Sequence, residues 1–193
     1  MKYKTIQLMS LCCFVIIITY PKAIFAGDNQ NASCSLDMNI DSISYDNTVC
    51  TKDIEPTISA YANETITVAI VAHNVINLDT YQAEILFDND HLKFIKAYEN
   101  VPAMGITNIL KANGGTTIGF QASLKKAGII NIANSLVGKN KDQAPEGSGI
   151  CAILRFKVLK DSKSELILKH VYFVDSDQQK DHIVQTNNAQ INQ

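Results

Sequence analysis

Tryptophan is absent from this 193-residue chain, and proline and histidine occur only four times each. The missing indole weighs against a stacking platform for planar sugar faces, although tyrosines remain to serve that purpose. His73, His91, His170 and His182 show neither His-x-His nor His-x-x-x-His spacing, so a sequence-local zinc site is excluded. No glycine-rich phosphate loop follows a strand pattern. Ser148, in Gly147-Ser148-Gly149, lacks the spacer residues of a nucleophile elbow and opens a strand where such an elbow opens a helix. It reads as a turn. Asp175 and Asp177 are paired carboxylates with no sign of a cleft, so no residue is nominated as catalytic and the chain is expected not to be an enzyme. The 17 Lys and Arg residues form no basic patch of the kind that neutralises phosphates, which excludes nucleic acid as the expected partner.

What is present begins with a leader. Lys2 and Lys4 precede an apolar run from Leu8 to Tyr20, and Ile24-Phe25-Ala26 stands before an abrupt polar Gly27-Asp28-Asn29-Gln30. These are the parts of a secretory signal peptide, residues 1–26, with cleavage expected after Ala26. An uncleaved anchor is the competing reading, but the apolar run falls short of the roughly 20 residues that span a bilayer, and Pro21 closes it. No cysteine follows closely enough for a lipoprotein, and no second apolar span exists. A mature chain without a membrane span, extracellular or on the cell surface, is the expectation. Cleavage removes Lys2, Lys4 and Lys22 and no acid, leaving 14 basic against 19 acidic groups, a formal charge of −5. About 165 residues remain, enough for one domain with one core.

Cys12 and Cys13 leave with the leader. In an oxidising compartment Cys34 and Cys50 are expected to close a loop of ~17 residues, with roughly 3 kcal/mol of loop-closure stabilisation. Cys151, in an apolar strand pattern, reads as a small buried hydrophobe. Residues 27–55 are rich in Asn, Asp and Ser and read as a polar N-terminal extension stapled by that disulfide. Within it Asp37, Asn39 and Asp41 stand at alternate positions, as the ligands that open an EF-hand calcium loop do. Ser42 then replaces the glycine of the sharp turn and Thr48 the closing acid, so a solvated polar loop is the preferred reading and no metal or cofactor is expected on this chain.

From Pro56 onward strand signals recur: Thr57 to Tyr61, Thr65 to Ala72, Thr80 to Phe87, Leu92 to Tyr98, Thr116 to Leu124, Gly128 to Leu136, Gly149 to Leu159 and Glu165 to Val174. With no helical stripe among them, they predict an all-β fold, an antiparallel β-sandwich with jelly-roll topology and eight to nine strands over 56–186. Ile66, Val68 and Ile70 are expected to face the core, as are Ile150, Ala152, Leu154, Phe156 and Val158. Asn100 to Gly115 and Val137 to Gly149 read as surface loops. Near Lys169 and His170 the alternation slips, Leu166 and Leu168 sharing one phase and Val171 and Phe173 the other, and a β-bulge would return both pairs to the core. Residues 187–193 are too polar to bury and are expected to be a disordered tail.

The stretch Asn77 to Leu92 carries a resemblance. Its Asn-Leu-x-x-Tyr-Gln opening, alternating strand and aromatic-Asp-x-x-x-Leu close resemble a strand region of cohesin domains. The likeness runs on from about Ile58 to about Asp177 through ETITVAIVA, GIINIANSLVG, GICAILRFKVL and SELILKHVYFVDSD, in that order. Cohesins are non-catalytic β-sandwich modules that bind dockerin modules, which fold around calcium. The resemblance therefore implies a secreted protein-binding module with a dockerin-like partner and the calcium on that partner, in polysaccharide degradation or surface assembly. It also implies a recognition face on the outward side of the strand ending Phe87-Asp88, which here presents Thr80, Gln82 and Glu84. Thr80 and Gln82 stand where the family has Asn and Asp, so a different partner or a different face is implied. Cohesin-like sandwiches include polysaccharide-binding modules, so a carbohydrate-binding module, and a structural or adhesive surface domain, stay open as alternatives.

Overall fold

The structure, a computed structural model, describes residues 27–40, 54–138 and 141–193. The expected signal peptide, residues 1–26, and the positions of Asp41 and Cys50 lie outside the described residues. Two sheets stack face to face. The first has the order β11-β1-β3-β8-β5, built from β1 (Ser33–Asp37), β3 (Thr65–Val75), β5 (Leu92–Tyr98), β8 (Gly147–Val158) and β11 (Gln185–Asn187). The second has the order β2-β12-β9-β4-β7-β6, from β2 (Thr57–Ile58), β4 (Leu78–Phe87), β6 (Thr117–Lys126), β7 (Ile129–Leu136), β9 (Ser164–Asp175) and β12 (Ala189–Ile191), with β10 (Lys180–Ile183) pairing β9. Neighbours are antiparallel except β1 with β11 and β2 with β12, which are parallel.

The expected sandwich is therefore present, with twelve strands among the described residues. The four additional strands, β1, β10, β11 and β12, are short, three to five residues, too few for alternation to stand out. Two boundaries move as a result. Residues 33–37, read as part of a polar extension, form β1 inside the first sheet, where Cys34 and Leu36 are buried in the core and His73 holds Ser35 Oγ at 3.0 Å. Residues 189–191, read as a disordered tail, form β12. Ala189 and Ile191 enter the core, and Asn188 Oδ1 accepts from the Leu168 amide at 3.0 Å.

The core fills from both inner faces. Ile66, Val68 and Ile70 of β3 and Ala152, Leu154, Phe156 and Val158 of β8 meet Tyr81, Ala83 and Ile85 of β4 and Ile130 and Ile132 of β7. Phe87 and Phe94 present ring edges to Phe156 at centroid distances of 5.3 and 5.7 Å, a favoured aromatic geometry. Ile150 departs from expectation. The pairing steps from Ile70↔Ala152 to Val71↔Ile150, so a bulge at Cys151 reverses the phase. Ile150 then packs outside the first sheet with Ala69, Val71, Ile153, Ile40 and Ile106.

The bulge expected in β9 is observed. Gln82 pairs with Tyr172 and Glu84 with Lys169, so His170 and Val171 together face the single residue Ala83. His170 takes φ 48°, and Leu166, Leu168, Val171 and Phe173 all reach the core.

The segment from Asn100 to Gly115 is only partly a surface loop. Ile109 and Leu110 plug one end of the sandwich, fully buried, and so is Asn108. Asn108 Nδ2 donates to Tyr81 Oη at 2.7 Å and to the Cys151 carbonyl at 2.5 Å, and its Oδ1 accepts from the Leu110 amide at 3.0 Å. The Tyr81 hydroxyl also donates to that carbonyl. Burial pushes the Tyr81 phenol well above its ordinary range.

Candidate functional site: the outer face of the second sheet

Side chains alternate across a strand, so burying Tyr81, Ala83 and Ile85 turns Thr80, Gln82, Glu84 and Leu86 outward on β4. Register places their neighbours in rows. Thr80 is flanked by Val174 on β9 and Ser135 on β7, with Ile118 of β6 beyond. Gln82 lies between Tyr172 and Ala133, with Gln121 beyond. Glu84 lies between Lys169 and Asn131, with Ser123 beyond. Leu86, Ile129 and Ile167 form the last row, which floors an open depression of about 560 Å³ rimmed by Lys126, Lys163, Asp88 and Glu165.

The three residues singled out from sequence are thus brought together on one face. Thr80 Oγ1 lies 2.7 Å from Ser135 Oγ and 2.9 Å from Asp79 Oδ2. Glu84 is the electrostatic centre. Lys125 Nζ reaches its Oε1 at 2.7 Å and His170 Nδ1 its Oε2 at 2.8 Å. Hydrogen bonds from Lys125 first and from His170 second hold the Glu84 carboxyl below its ordinary value.

Both clamping side chains come from irregularities. His170 sits in the β9 bulge. Lys125 is the extra residue where the β6–β7 register steps from Leu124↔Ile130 to Lys126↔Ile129. From there it crosses β7 beside Asn131, whose Oδ1 is buried with no hydrogen-bond partner. Sequence reasoning found the β9 slip but missed Lys125, because β6 is an exposed edge with no alternation to interrupt. It also missed a cluster on β9 and β10, where Lys180 Nζ lies 3.7 Å from the Tyr172 ring centroid and the His182 ring 5.0 Å from it. Lys125, Lys126, Lys163, Lys169 and Lys180 outnumber Glu84, Asp88 and Glu165 here, so this face is basic on an acidic chain.

The other sequence candidates lie elsewhere. Asp37 Oδ1 accepts from the amides of Asn39 and Glu55 at 3.0 and 3.1 Å, and Asn39 Nδ2 donates to Glu55 at 3.0 Å. Among the described residues no cluster of three or more His, Cys, Asp or Glu side chains is placed to hold a metal ion. Cys34 lies in the core, where burial pushes its thiol up to about 12 against an opposing hydrogen bond at Ser35. Tyr61, expected to pack in a strand, is 72% exposed in a turn because β2 ends at Ile58.

No family model matches the sequence, and no curated protein matches it. Solved structures do match. The second type II cohesin module of the ScaA adaptor scaffoldin of Acetivibrio cellulolyticus superposes with a TM-score of 0.61 at 16% identity, over 84% of this chain and 90% of that one. The sixth cohesin of scaffoldin B from the same organism, in complex with a mutant Cel5 dockerin, gives 0.58 at 14% identity over 83% and 97%. A non-cellulosomal cohesin from the archaeon Archaeoglobus fulgidus gives 0.53 at 13% identity over 83% and 88%. The chain has the cohesin fold.

Proposed function

We propose that this protein is a secreted, non-catalytic binding module whose second sheet docks a helical, dockerin-type protein domain through its outer face. The observation that carries the reading is the face itself. Thr80, Gln82 and Glu84 lie side by side on an uncovered four-strand surface, in the fold of the scaffoldin B cohesin solved with a dockerin. The apolar row of Leu86, Ile129 and Ile167 supplies area to bury, and the surrounding lysines and histidines supply orientation. A basic face calls for an acidic partner surface, and that charge complement is the specificity this chain sets in place of an Asn and Asp pair. Secretion through the leader places the complex outside the cell, in surface assembly or polysaccharide degradation.

The test is capture of secreted proteins from the same cell by the mature domain, in calcium and in chelator, beside retention on insoluble polysaccharide. The expected result is calcium-dependent capture of a protein that mass spectrometry shows to carry paired calcium-loop helices. Lys125→Glu with Lys169→Glu should weaken it about tenfold or more. Capture unchanged by these substitutions refutes the face. Retention on polysaccharide with no protein captured refutes the reading in favour of a carbohydrate-binding module, and silence in both assays favours a structural or adhesive role.

A further inference from the structure

The N-terminal segment is tied down with more polar groups than a polar leader-proximal stretch requires. The Gly27 amide donates to Asp181 Oδ1 at 3.2 Å and the Asn29 amide to Asp181 Oδ2 at 2.9 Å, while the Asp28 amide donates to Asp175 Oδ2 at 3.2 Å. Asn29 is fully buried and closes a two-bond clasp on Ile76, Nδ2 to the carbonyl at 3.0 Å and Oδ1 from the amide at 2.9 Å. Asp181 is 7% exposed and has no ion-pair partner among the described residues. A carboxylate held so far from water by amides alone lacks the countercharge that buried charges ordinarily have. Glycine at position 27 lets the chain approach this closely, since a Cβ there would lie 2.3 Å from Asp181 Oδ2 and 3.1 Å from Gln179 Cβ and displace the carboxylate.

We infer that removal of the leader supplies the missing charge: the new α-ammonium of Gly27 forms a structural ion pair with Asp181, so that processing itself locks the mature N-terminus onto β10. Hydrolysis of the Ala26–Gly27 bond by a leader peptidase consumes one water, leaves the carboxylate on Ala26, and turns the Gly27 N–H into an amine that is protonated at neutral pH. The same nitrogen that donates one proton to Asp181 then carries a full positive charge. Asp175 holds the Asp28 amide and Asp177 pairs with Lys141 at 2.6 Å, so among these described groups carboxylates outnumber cations until the ammonium is made. The inference rests on cleavage after Ala26 and is independent of the docking face.

The experiment uses the chain that begins at Gly27, the same chain N-acetylated at Gly27, and the chain that retains Ala26. Acetylation keeps the N–H donor and deletes only the charge. The free α-amine should titrate about one unit or more above its ordinary value near 8, read from the pH dependence of its acylation rate by mass spectrometry. At pH 7 the chain whose free amine is on Gly27 should melt about 2–4 °C above both the acetylated chain and the chain whose amine is displaced to Ala26. A raised amine pKa stabilises the fold below the ordinary value and loses that effect as pH rises through the raised one, so the gap should close in strong base. Asp181→Asn should erase it, and if that variant does not fold, the acetylated chain decides alone. An α-amine that titrates normally, with equal melting temperatures, overturns the ion pair. An intact mass of the secreted protein that begins elsewhere overturns the cleavage site instead.

Discussion

Asn108 offers the sharpest test of how the sandwich is closed. Its amide makes three hydrogen bonds in a fully buried position, two as donor to Tyr81 and Cys151 and one as acceptor from the Leu110 amide. The last is a capping bond on the short turn that carries Ile109 and Leu110 into the core. Asn108→Ala loses that cap, about 1 kcal/mol, and two buried donor bonds of about 1 kcal/mol each, for roughly 3 kcal/mol in all. On a chain of this size that is a fall of about 6–12 °C in melting temperature. Urea unfolding should show the midpoint lowered with an unchanged slope. Tyr81→Phe should cost less, since Cys151 keeps its bond from Asn108. The double variant should fall short of the sum by about 0.5 kcal/mol or more, because the two side chains share an acceptor. A loss below about 1 kcal/mol for Asn108→Ala, or strict additivity, would refute the plug as a hydrogen-bonded unit.

Phe156→Ala, which empties the meeting point of three rings, should cost about 3–5 kcal/mol in the same assay. Gly128→Ala places a Cβ 2.6 Å from the Phe87 carbonyl at φ 76°, and should lose about 1–3 kcal/mol with the hairpin between β6 and β7 loosened in hydrogen exchange. His73 is buried and its pKa is lowered by desolvation, so the unfolded chain takes the proton first. Stability should fall as pH drops below about 6.5, and His73→Gln should flatten that part of the pH profile. Peptide mapping without reductant should recover a Cys34–Cys50 linked fragment, and recovery of both as free thiols would remove the proposed staple.

β3, β4, β8 and β9 were legible because each presents one face to the core for long enough to show its period. Leu166, Leu168, Val171 and Phe173 even revealed their bulge, since four large apolar side chains cannot share one phase across Lys169 and His170. Ile150 misled for the converse reason. Cys151 and Ala152 are small and apolar, so the reversal at that bulge leaves no mark in the hydropathy. The short strands β1 and β12 were hidden because half of so few residues must point away from the core, which leaves Ser35 and Gln190 looking like loop. At the candidate face, period-two alternation found Thr80, Gln82 and Glu84. The side chains that clamp Glu84 come from positions distant in sequence, and only strand order brings them within 3 Å.

The two parallel pairings set an order on how this chain can be made. β11 lies against β1 and β12 against β2, joining Gln185 to Ser33 and Gln190 to Thr57. During synthesis, β1 and β2 must wait with an open edge until residues 185–191 are available. Closing a loop of that length is entropically slow, so the docking of β11 and β12 belongs to the final step of this sandwich's folding. A chain that ends before Gln185 keeps most of its hydrophobic interior but exposes two unpaired strand margins, one on each sheet. Such a fragment should associate with other copies, whereas the full chain carries its own edge covers.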